Sequence, residues 1–341
     1  MHDGSITILR GAEVRALLAG RELEIIAAVR TAYATHGEGD SSLPYSTFLP
    51  FPGQPQNRII ALPAYLGGAS RVAGVKWVSS FPDNLQLGID RASAVVLLNS
   101  PQTGRPEAVL EGSVISAKRT AASAALAAQC LLKDSKVGRI GMIGCGLINF
   151  EIVRFLLTVL PETEGFVLFD QEEARSKQFR KMVQGVSAQL EVEIAKEVNA
   201  VLSNSPLISI ATTALSPHIG ELRCAPGSAI LHISLRDLSP EVILSCDNVV
   251  DDIDHVCRAQ TSVHLAEQRV GHRKFIRCTL PDILSGRASA RNGSEAISVF
   301  SPFGLGVLDL AVGKLVRDLA RHKGLETVIS SFLPGPWTEE A

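Results

Sequence analysis

The stretch RIGMIGCGLIN, residues 139–149, decides the fold. Its first five residues form the apolar run of a buried strand, and a helix-like apolar pattern begins at Leu147. Between them, Gly144 permits a tight turn, and Gly146 lets a phosphate group approach the N-terminus of the helix. Asn149 stands where the usual fingerprint has Gly or Ala. The stretch predicts a dinucleotide-binding turn with contacts from Gly144, Cys145, Gly146, Leu147, Ile148 and Asn149.

Short apolar runs alternate with helix-like segments through the second half of the chain. We predict strands at residues 139–143, 165–169, 207–211, 229–233 and 248–250, and helices at residues 147–160 and 172–185. This alternation is typical of a Rossmann-type, doubly wound parallel sheet. Residues 126–304 are therefore predicted to form an α/β nucleotide-binding domain.

Asp170 ends the second predicted strand, where the fingerprint places an acid that binds the ribose 2′-hydroxyl. A carboxylate there would repel a 2′-phosphate, so the sequence favours NAD over NADP, although Arg175 nearby keeps NADP open. The alternative is that Asp170 only caps the next helix. Thr212 and Thr213 end a later strand, and they either line the same crevice or serve ordinary turn chemistry.

The first third of the chain has a different pattern. We predict a helix at residues 13–36, a loop or edge strand at 41–57, strands at 58–62, 72–78, 94–99 and 108–111, and a helix at 114–132. Closely spaced strands without intervening helices indicate a mixed or antiparallel sheet. A last helix, residues 307–323, is expected to return to this domain. The prediction is a mixed α+β substrate-binding domain at residues 1–125, completed by residues 305–341.

The composition limits the kind of protein. Of 341 residues, 46% are hydrophobic and 20% are charged, as in ordinary globular proteins, and the formal net charge is −2. That charge argues against nucleic-acid binding. No uncharged run of about 18 residues occurs, so no membrane span is expected. The N-terminus predicts no signal peptide, and six scattered cysteines fit the reduced thiols of a cytoplasmic protein.

A cluster of acids near residue 250 has the composition of a metal site but not its pattern. Asp251, Asp252 and Asp254 lie close to His255 and Cys257, but no second group of ligands accompanies them. We interpret the cluster as a solvated turn with helix caps, and we predict no bound metal.

Four basic residues in the first domain are candidates for substrate binding: Arg58, Lys76, Arg91 and Arg119. Each lies in or beside an apolar run, where a single cation is normally paired or extends its charge to solvent. Four together could instead bind substrate carboxylates. Asp237 follows a predicted strand and could be a general base. On spacing alone, an ion pair between Asp237 and Arg236 is the favoured interpretation.

Three stretches resemble the ornithine cyclodeaminase/μ-crystallin family: GVKW at residues 74–77, RASAVVLLN at 91–99 and KRTAAS at 118–123. The resemblance covers nearly the whole chain. Three more stretches are similar to one branch of that family, the dehydrogenases of L-2,3-diaminopropionate biosynthesis. They are RIIALP at 58–63, IGCGLI at 143–148 and SLRD at 234–237.

The resemblance implies an enzyme that forms a homodimer through its first domain. Members of that branch would oxidise N-(1-amino-1-carboxy-2-ethyl)-L-glutamate with NAD and water. The products would be 2-oxoglutarate, NADH and L-2,3-diaminopropionate for siderophore or peptide-antibiotic biosynthesis. The resemblance also implies that Lys76 and Arg119 bind substrate, that Lys76 stabilises charge during catalysis, and that Asp237 is the catalytic acid. It places Ser234, Leu235 and Ser301 near the cofactor.

Two departures from the family argue against cyclodeamination of ornithine. Ser239-Pro240-Glu241 replaces a lysine that follows the catalytic aspartate, and residues 45–48 lack a usual arginine, for which Arg58 could substitute. Three alternatives stay open. They are an ornithine cyclodeaminase that forms L-proline and ammonia, an imine reductase or amino-acid dehydrogenase, and a non-catalytic ligand-binding protein.

Overall fold

The computed structural model of the chain describes residues 4–132 and 136–335. These residues divide into two compact units. The first comprises the described parts of residues 1–119 and 305–341, and the second comprises those of residues 120–304. The division falls at Arg119 rather than at residue 125, and both positions lie within one continuous helix. A change in sequence pattern therefore locates this boundary only approximately.

The first part of the chain has one strand, two helices, six strands and a long helix. In chain order these are β1 (Ile6–Leu9), α1 (Gly11–Leu18), α2 (Glu22–Gly37), β2 (Ser41–Ser42), β3 (Thr47–Phe51), β4 (Gln54–Leu66), β5 (Val72–Ser80), β6 (Ala92–Asn99), β7 (Pro106–Glu111) and α3 (Ser113–Leu131). Short 3-10 helices, Gly68–Ser70 and Pro82–Leu87, follow β4 and β5.

Strands and helices then alternate through the second unit. They are β8 (Arg139–Ile143), α4 (Leu147–Val159), β9 (Gly165–Phe169), α5 (Glu173–Val186), β10 (Glu191–Ile194), α6 (Val198–Ser203), β11 (Leu207–Ile210), β12 (Ala229–His232), α7 (Pro240–Ser245), β13 (Asp247–Val250), α8 (Ile253–Val256), α9 (Ser262–Val270), β14 (Ile276–Thr279), α10 (Leu280–Leu284) and β15 (Ser298–Ser301). The chain returns to the first unit with α11 (Gly306–Lys323) and β16 (Thr327–Ile329).

A mixed sheet of eight strands forms the centre of the first unit. Its order is β16-β1-β7-β6-β5-β4-β2, and β3 also pairs with β4. β1 and β7 run parallel, while the strands from β7 to β2 are antiparallel to their neighbours. Helix α11 packs against α2 and against β4, β5 and β6. The inner face of β5, which carries Lys76, is therefore the face that α11 covers.

The second unit contains a fully parallel sheet in the order β10-β9-β8-β11-β12-β15-β13-β14. From β8 the chain moves outward to β9 and β10, and then returns to the other side of β8 to form β11. This reversal defines a doubly wound sheet and confirms the predicted fold class. Strands β11, β12, β13 and β15 are buried along their whole length, as expected when helices cover both faces of a parallel sheet.

The structure corrects several predicted elements. The helix expected at residues 13–36 is two helices, because Gly20 between them has a φ of +67°, which ends a helical run. Residues 41–57 carry β2, β3 and the start of β4 rather than one loop or edge strand. Strands β1, β10, β14, β15 and β16, each of three or four residues, are absent from the prediction. None of the described helices is long and apolar enough to cross a membrane.

Candidate active site

The turn after β8 has the geometry that its glycines predict. Gly144 has a φ of +90°, and a Cβ atom there would overlap the carbonyl oxygen of Ala211, which follows β11. Any larger residue would be strained at this position. Gly146 precedes α4, and a Cβ atom there would meet nothing within 4 Å in the described chain. The space beside Gly146 thus suits a ligand group at the N-terminus of a 13-residue helix.

The turn borders a cleft of about 400 Å³ in the second unit. The cleft lies where the strand order reverses between β8 and β11, which is where doubly wound sheets bind ligands. Leu147 and Ile148 begin α4 and are not among its lining residues, so their cofactor contacts stay predictions. The predicted cofactor residues that line the cleft are Gly144, Cys145, Gly146, Asp170, Thr212 and Thr213.

Asn149 is buried and holds the turn in place. Its amide nitrogen donates to the carbonyl oxygens of Ile143 at 3.0 Å and Gly144 at 2.6 Å. Its carbonyl oxygen accepts a hydrogen bond from the Ser209 hydroxyl at 2.7 Å. The side chain is therefore occupied inside the unit, and the predicted cofactor contact of Asn149 can involve only its backbone. The departure from the usual fingerprint is compensated by these three hydrogen bonds.

Asp170 follows β9 but does not cap α5, whose N-cap residue is Glu172, and its contact with a ribose hydroxyl stays a prediction. Its Oδ2 accepts a hydrogen bond from the backbone N–H of Cys145 at 2.8 Å, and its Oδ1 accepts from that of Glu172 at 3.0 Å. Each carboxylate oxygen keeps acceptor capacity for a ribose hydroxyl. Arg175, which kept NADP open, forms an ion pair with Glu172 at 3.1 Å. Two carboxylates and one paired guanidinium thus border this end of the cleft.

Asp237 is fully buried in a hydrogen-bonded cluster of the second unit. Its Oδ1 accepts a hydrogen bond from the Thr212 hydroxyl, and its Oδ2 contacts the Ser234 hydroxyl and lies 3.3 Å from Nε2 of His232. The favoured pairing with Arg236 is wrong, because that guanidinium donates to a backbone carbonyl before α9 instead. The ends of two parallel strands supply the partners of Asp237, which spacing along the chain could not reveal.

His232 links Asp237 to Ser301. Nε2 of His232 lies 3.3 Å from the backbone nitrogen of Asp237, and Nδ1 lies 3.2 Å from the Ser301 hydroxyl. His232 and Ser301 end the adjacent parallel strands β12 and β15, so the sheet brings them together. Leu235 has a φ of +67°, a strained conformation of the kind retained near functional sites. The predicted residues Ser234, Leu235 and Ser301 therefore all belong to the surroundings of Asp237.

The Asp237 carboxyl has a pKa of about 2. Burial alone would raise this pKa, but the hydrogen bond and charge of His232, together with the hydroxyls of Ser234 and Thr212, stabilise the ionised form. His218 lines the cleft, and its Nε2 lies 4.0 Å from Oδ1 of Asp237. One carboxylate thus has two imidazoles close to it.

A buried ion cluster in the first unit contains two of the predicted basic residues. Nζ of Lys76, on β5, lies 2.8 Å from Oδ2 of Asp309, on α11. Nε of Arg119, on α3, lies 3.1 Å from Oδ1 of the same carboxylate. Ser116 accepts a further hydrogen bond from Lys76 at 3.2 Å. All three charged side chains are buried, so two cations share one anion and a net positive charge remains.

Burial lowers the pKa of Lys76 to about 8. The negative charge of Asp309 opposes this shift, and the positive charge of Arg119 adds to it. Lys76 is therefore a cation below pH 8 and loses its proton in the mildly alkaline range. A buried positive group of this kind can bind a carboxylate strongly, because water does not compete for it.

The other two predicted basic residues form a separate pair. Arg58 on β4 stands directly opposite Ser80 on β5. Nε of Arg91, just before β6, lies 3.3 Å from the Ser80 hydroxyl. The four basic residues of the first unit thus form two separate pairs, Lys76 with Arg119 and Arg58 with Arg91, rather than a single cluster.

Asp251 and Asp252, two of the acidic residues near residue 250, have structural roles. Asp252 caps α8 by accepting a hydrogen bond from the backbone N–H of His255, which confirms the predicted helix cap. Asp251 contradicts the expectation of a solvated turn, because it is fully buried. It accepts hydrogen bonds from the backbone N–H groups of Phe303 at 2.8 Å and Gly304 at 2.7 Å. Asp251 therefore anchors the segment after β15.

Three residues of these two clusters were not predicted: His218 and His232, which lie near Asp237, and Asp309, which lies beside Lys76. His232 lies one residue before the end of the predicted strand 229–233, close to the strand-end position that selected Thr212. Asp309 is a lone acid within the apolar segment GVLDLAVG, residues 306–313. A buried position for such an acid implies a cationic partner, which is the signal that could have identified it.

Comparison with known proteins shows a single family over most of the chain. The model of the ornithine cyclodeaminase/mu-crystallin family matches residues 7–324. A relative from Staphylococcus aureus, N-((2S)-2-amino-2-carboxyethyl)-L-glutamate dehydrogenase, is 27% identical over 311 residues, which cover 89% of this chain and 92% of the relative.

Two solved structures are similar along nearly their whole length. An archaeal alanine dehydrogenase dimer with bound NAD has a TM-score of 0.85 at 26% identity, and the match covers 96% of this chain and 100% of that one. The Δ1-pyrroline-2-carboxylate reductase of Thermococcus litoralis, in complex with NADH and L-proline, has a TM-score of 0.88 at 24% identity. That match covers 94% of this chain and 99% of the reductase, and it shows a shared fold.

Proposed function

Because the chain belongs to the ornithine cyclodeaminase/μ-crystallin family, we propose that it is an NAD-dependent oxidoreductase acting on the C–N bond of an amino-acid-derived substrate. The observation that carries this proposal is the Lys76–Asp309–Arg119 cluster, whose net positive charge suits a substrate carboxylate. The S. aureus dehydrogenase and the archaeal alanine dehydrogenase support the reaction class.

The second unit has the features that NAD requires. The open space at Gly146 would admit the pyrophosphate at the N-terminus of α4, and Asp170 would bind ribose hydroxyls. Bound NAD would supply the acceptor for the hydride that leaves the substrate. The Asp170 carboxylate would repel a 2′-phosphate, so we assign NAD rather than NADP. The remaining cofactor contacts stay predictions for the residues named above.

Within this class we propose oxidative hydrolysis of N-(1-amino-1-carboxy-2-ethyl)-L-glutamate, called the glutamate adduct below. It is the compound in the name of the S. aureus relative, which is matched over 92% of its length. The adduct, water and NAD would yield 2-oxoglutarate, L-2,3-diaminopropionate, NADH and a proton. The diaminopropionate would serve siderophore or peptide-antibiotic biosynthesis. The cytoplasmic location stays a prediction.

The buried charged groups have distinct roles in this proposal. Lys76 and Arg119 would hold the carboxylate next to the reacting carbon and offset negative charge that develops there. Asp237 and His232 would accept the proton of a water molecule as that water adds to the oxidised substrate. The pKa of Asp237, about 2, makes the carboxylate alone a weak base. His232 would therefore share the proton.

One of the similar structures favours a second candidate. The archaeal alanine dehydrogenase is 26% identical over its whole length, so an amino-acid dehydrogenase with a small monocarboxylate substrate is the main rival. Such an enzyme would oxidise L-alanine with NAD and would not cleave the glutamate adduct.

Incubation of the purified protein with NAD and the synthetic adduct tests the proposal. We expect NADH to accumulate, with one 2-oxoglutarate and one L-2,3-diaminopropionate formed per NADH, as read by mass spectrometry. L-Alanine and L-ornithine serve as parallel substrates. NADH from L-alanine alone would support the rival, and L-proline from L-ornithine without net NADH would indicate a cyclodeaminase. An adduct that remains intact contradicts the proposed reaction.

A homodimer is also part of the proposal. The outer face of the first sheet exposes Trp77, Val95 and Leu49 at 46%, 43% and 46%. Trp77 stands opposite Val95 and Ala61 in the register, so these apolar side chains form one continuous surface, the outer sheet face. Contiguous exposed apolar surface marks an interaction site. A second copy of the chain is the proposed partner, and the dimeric state of the archaeal alanine dehydrogenase supports it.

A further inference from the structure

Arg58 and Arg91 are a pair of cations without a counter-ion. They flank Ser80 of β5, with Arg58 on β4 and Arg91 immediately before β6. Among the described residues, no carboxylate lies within ion-pair distance of either guanidinium, and Nε of Arg58 is buried without a hydrogen-bond partner. Buried polar groups normally find partners. A guanidinium that lacks one inside the protein is therefore suited to an external anion.

Electrostatic repulsion between Arg58 and Arg91 also favours a bound anion. Burial lowers the pKa of both arginines, and the charge of Arg58 adds to the shift of Arg91. The two like charges repel each other where water screens them poorly. Binding of an anion would remove this repulsion. A carboxylate fits best, because its two oxygens match the planar donor fork of a guanidinium.

The arginine pair shares a face of the sheet with Lys76. Lys76 and Ser80 are four residues apart on β5, so their side chains point to the same face, about 13 Å apart along the strand. Val78 lies between them, with Ile60 opposite on β4, and both are partly buried. Lys76, which Arg119 of α3 approaches through Asp309, and the arginine pair are therefore at two positions along one sheet face, separated by a short apolar surface.

We propose that Arg58 and Arg91 bind a second carboxylate of the substrate, while Lys76 and Arg119 bind the first. This inference rests on the proposed function, because it defines the substrate class of the same site. Two other carboxylates of the glutamate adduct lie four or five bonds from the one at the reacting carbon, about 5–6 Å when extended. With an ion pair of about 2.8 Å at each end, one adduct molecule could contact two cationic groups about 11–12 Å apart. Alanine and proline have one carboxylate and would leave the arginine pair empty.

Carboxylate titration tests the second site without relying on turnover. The protein is saturated with NADH, and glutarate and adipate are compared by calorimetry with pentanoate and hexanoate. We expect the dicarboxylates to bind roughly 10- to 100-fold more tightly, as one additional charged contact implies. The Arg58→Gln/Arg91→Gln double variant should lose this preference and keep its affinity for the monocarboxylates. Equal affinities in the natural protein, or an unchanged preference in the double variant, would overturn the inference.

Arg71→Gln provides the matched control. Arg71 is exposed and stands immediately before β5, outside the arginine pair, so its loss should leave the dicarboxylate preference unchanged. The melting temperature gives a second readout. The double variant should melt no lower than the natural protein, because it removes two charges that repel each other. A lower melting temperature together with weaker monocarboxylate binding would indicate a structural role and contradict the inference.

Kinetics with the glutamate adduct separates this inference from the proposed function. If the natural protein oxidises the adduct, the double variant should raise KM for the adduct roughly 10- to 100-fold and change kcat much less. If the natural protein does not oxidise the adduct, the proposed function fails, and the carboxylate titration still decides the second site. A normal KM in the double variant would contradict the second site while leaving the reaction intact.

Discussion

Two fully buried carboxylates, Asp237 and Asp309, have different partners and therefore different chemistry. Asp237 is surrounded by hydroxyls and an imidazole, which can exchange a proton with it. Asp309 lies between Lys76 and Arg119, so it fixes the positions of two cations. Asp237 is therefore suited to proton transfer, whereas Asp309 is suited to holding Lys76 and Arg119 in place.

Replacement of Asp237 by asparagine should remove turnover and preserve cofactor binding. The amide keeps the size of the side chain but cannot accept a proton, so kcat with the glutamate adduct should fall by about 10²- to 10⁴-fold. Steady-state NADH formation measures kcat, and fluorescence titration measures NADH affinity. Glu241→Gln, an exposed acid on α7, is the control. Near-normal NADH production by Asp237→Asn would show that Asp237 is not the catalytic acid.

Lys76 should produce an alkaline limit in substrate binding. Its pKa is about 8, lowered from the usual value, so the ammonium group is present below pH 8 and is lost above it. KM for a carboxylate substrate should therefore rise as the pH passes 8. The negative charge of Asp309 opposes the lowering of the Lys76 pKa, and Asp309→Asn removes it. The rise in KM should therefore begin at a lower pH in this variant. KM measured across the neutral and alkaline range checks both statements.

The same Asp309→Asn variant should be less stable. It leaves two buried cations without their anion, which typically costs about 3–5 kcal/mol. Denaturant unfolding measures this loss, and Asp318→Asn, an acid on the more exposed side of α11, is the control. If Asp309→Asn keeps both the stability and the pH dependence of the natural protein, Asp309 does not position Lys76.

At the scale of elements, β8, the glycine turn and α4 form one unit whose two glycines have separate roles. Gly144 is required by the backbone, because of its positive φ and its closeness to β11. Gly146 has ordinary backbone angles and open space beside it. The fold therefore requires the first glycine, and we propose that the second leaves room for the cofactor.

Alanine substitutions at these two glycines should separate stability from cofactor binding. Gly144→Ala should destabilise the protein by about 1–3 kcal/mol, because a side chain is strained at that φ and meets the backbone of Ala211. Gly146→Ala should leave the melting temperature nearly unchanged and weaken NAD binding, since its methyl group enters the open space. Thermal unfolding and NADH titration measure the two effects. Unchanged NADH affinity in Gly146→Ala would mean that the cofactor does not approach this turn.

At the scale of the whole molecule, the first sheet has two unlike faces. α11 covers the inner face and supplies Asp309 to it. The outer sheet face leaves large apolar side chains exposed within each chain. A face of this kind favours association with another protein surface, and a second copy provides the same apolar residues.

A charge on the outer sheet face should prevent dimer formation. Trp77→Glu places a carboxylate at the centre of the apolar surface, and loss of one central aromatic residue typically costs an interface about 2–4 kcal/mol. Light scattering coupled to gel filtration should show a dimer for the natural protein and a monomer for Trp77→Glu. Leu23→Glu, an exposed leucine on α2, is the control and should remain dimeric. A dimeric Trp77→Glu protein would place the interface elsewhere.

The sequence by itself determined the features that depend on neighbouring residues. The alternation of strands and helices predicted the doubly wound sheet, because the period of apolar residues decides local structure. The glycine turn and Asp170 were located for the same reason, since a tight turn needs glycine at a particular position. Family resemblance supplied the roles of Lys76, Arg119 and Asp237, which spacing alone left undecided.

Only the tertiary structure decided which distant groups share a site. Asp309 is 233 positions from Lys76, and His232 is 69 from Ser301, yet each pair is within hydrogen-bond distance. The division of four basic residues into two pairs also follows from strand register. Such contacts arise when remote segments pack together, and a buried charge obtains its partner from whichever segment the fold brings beside it. No local pattern in the sequence around a buried charge identifies that partner.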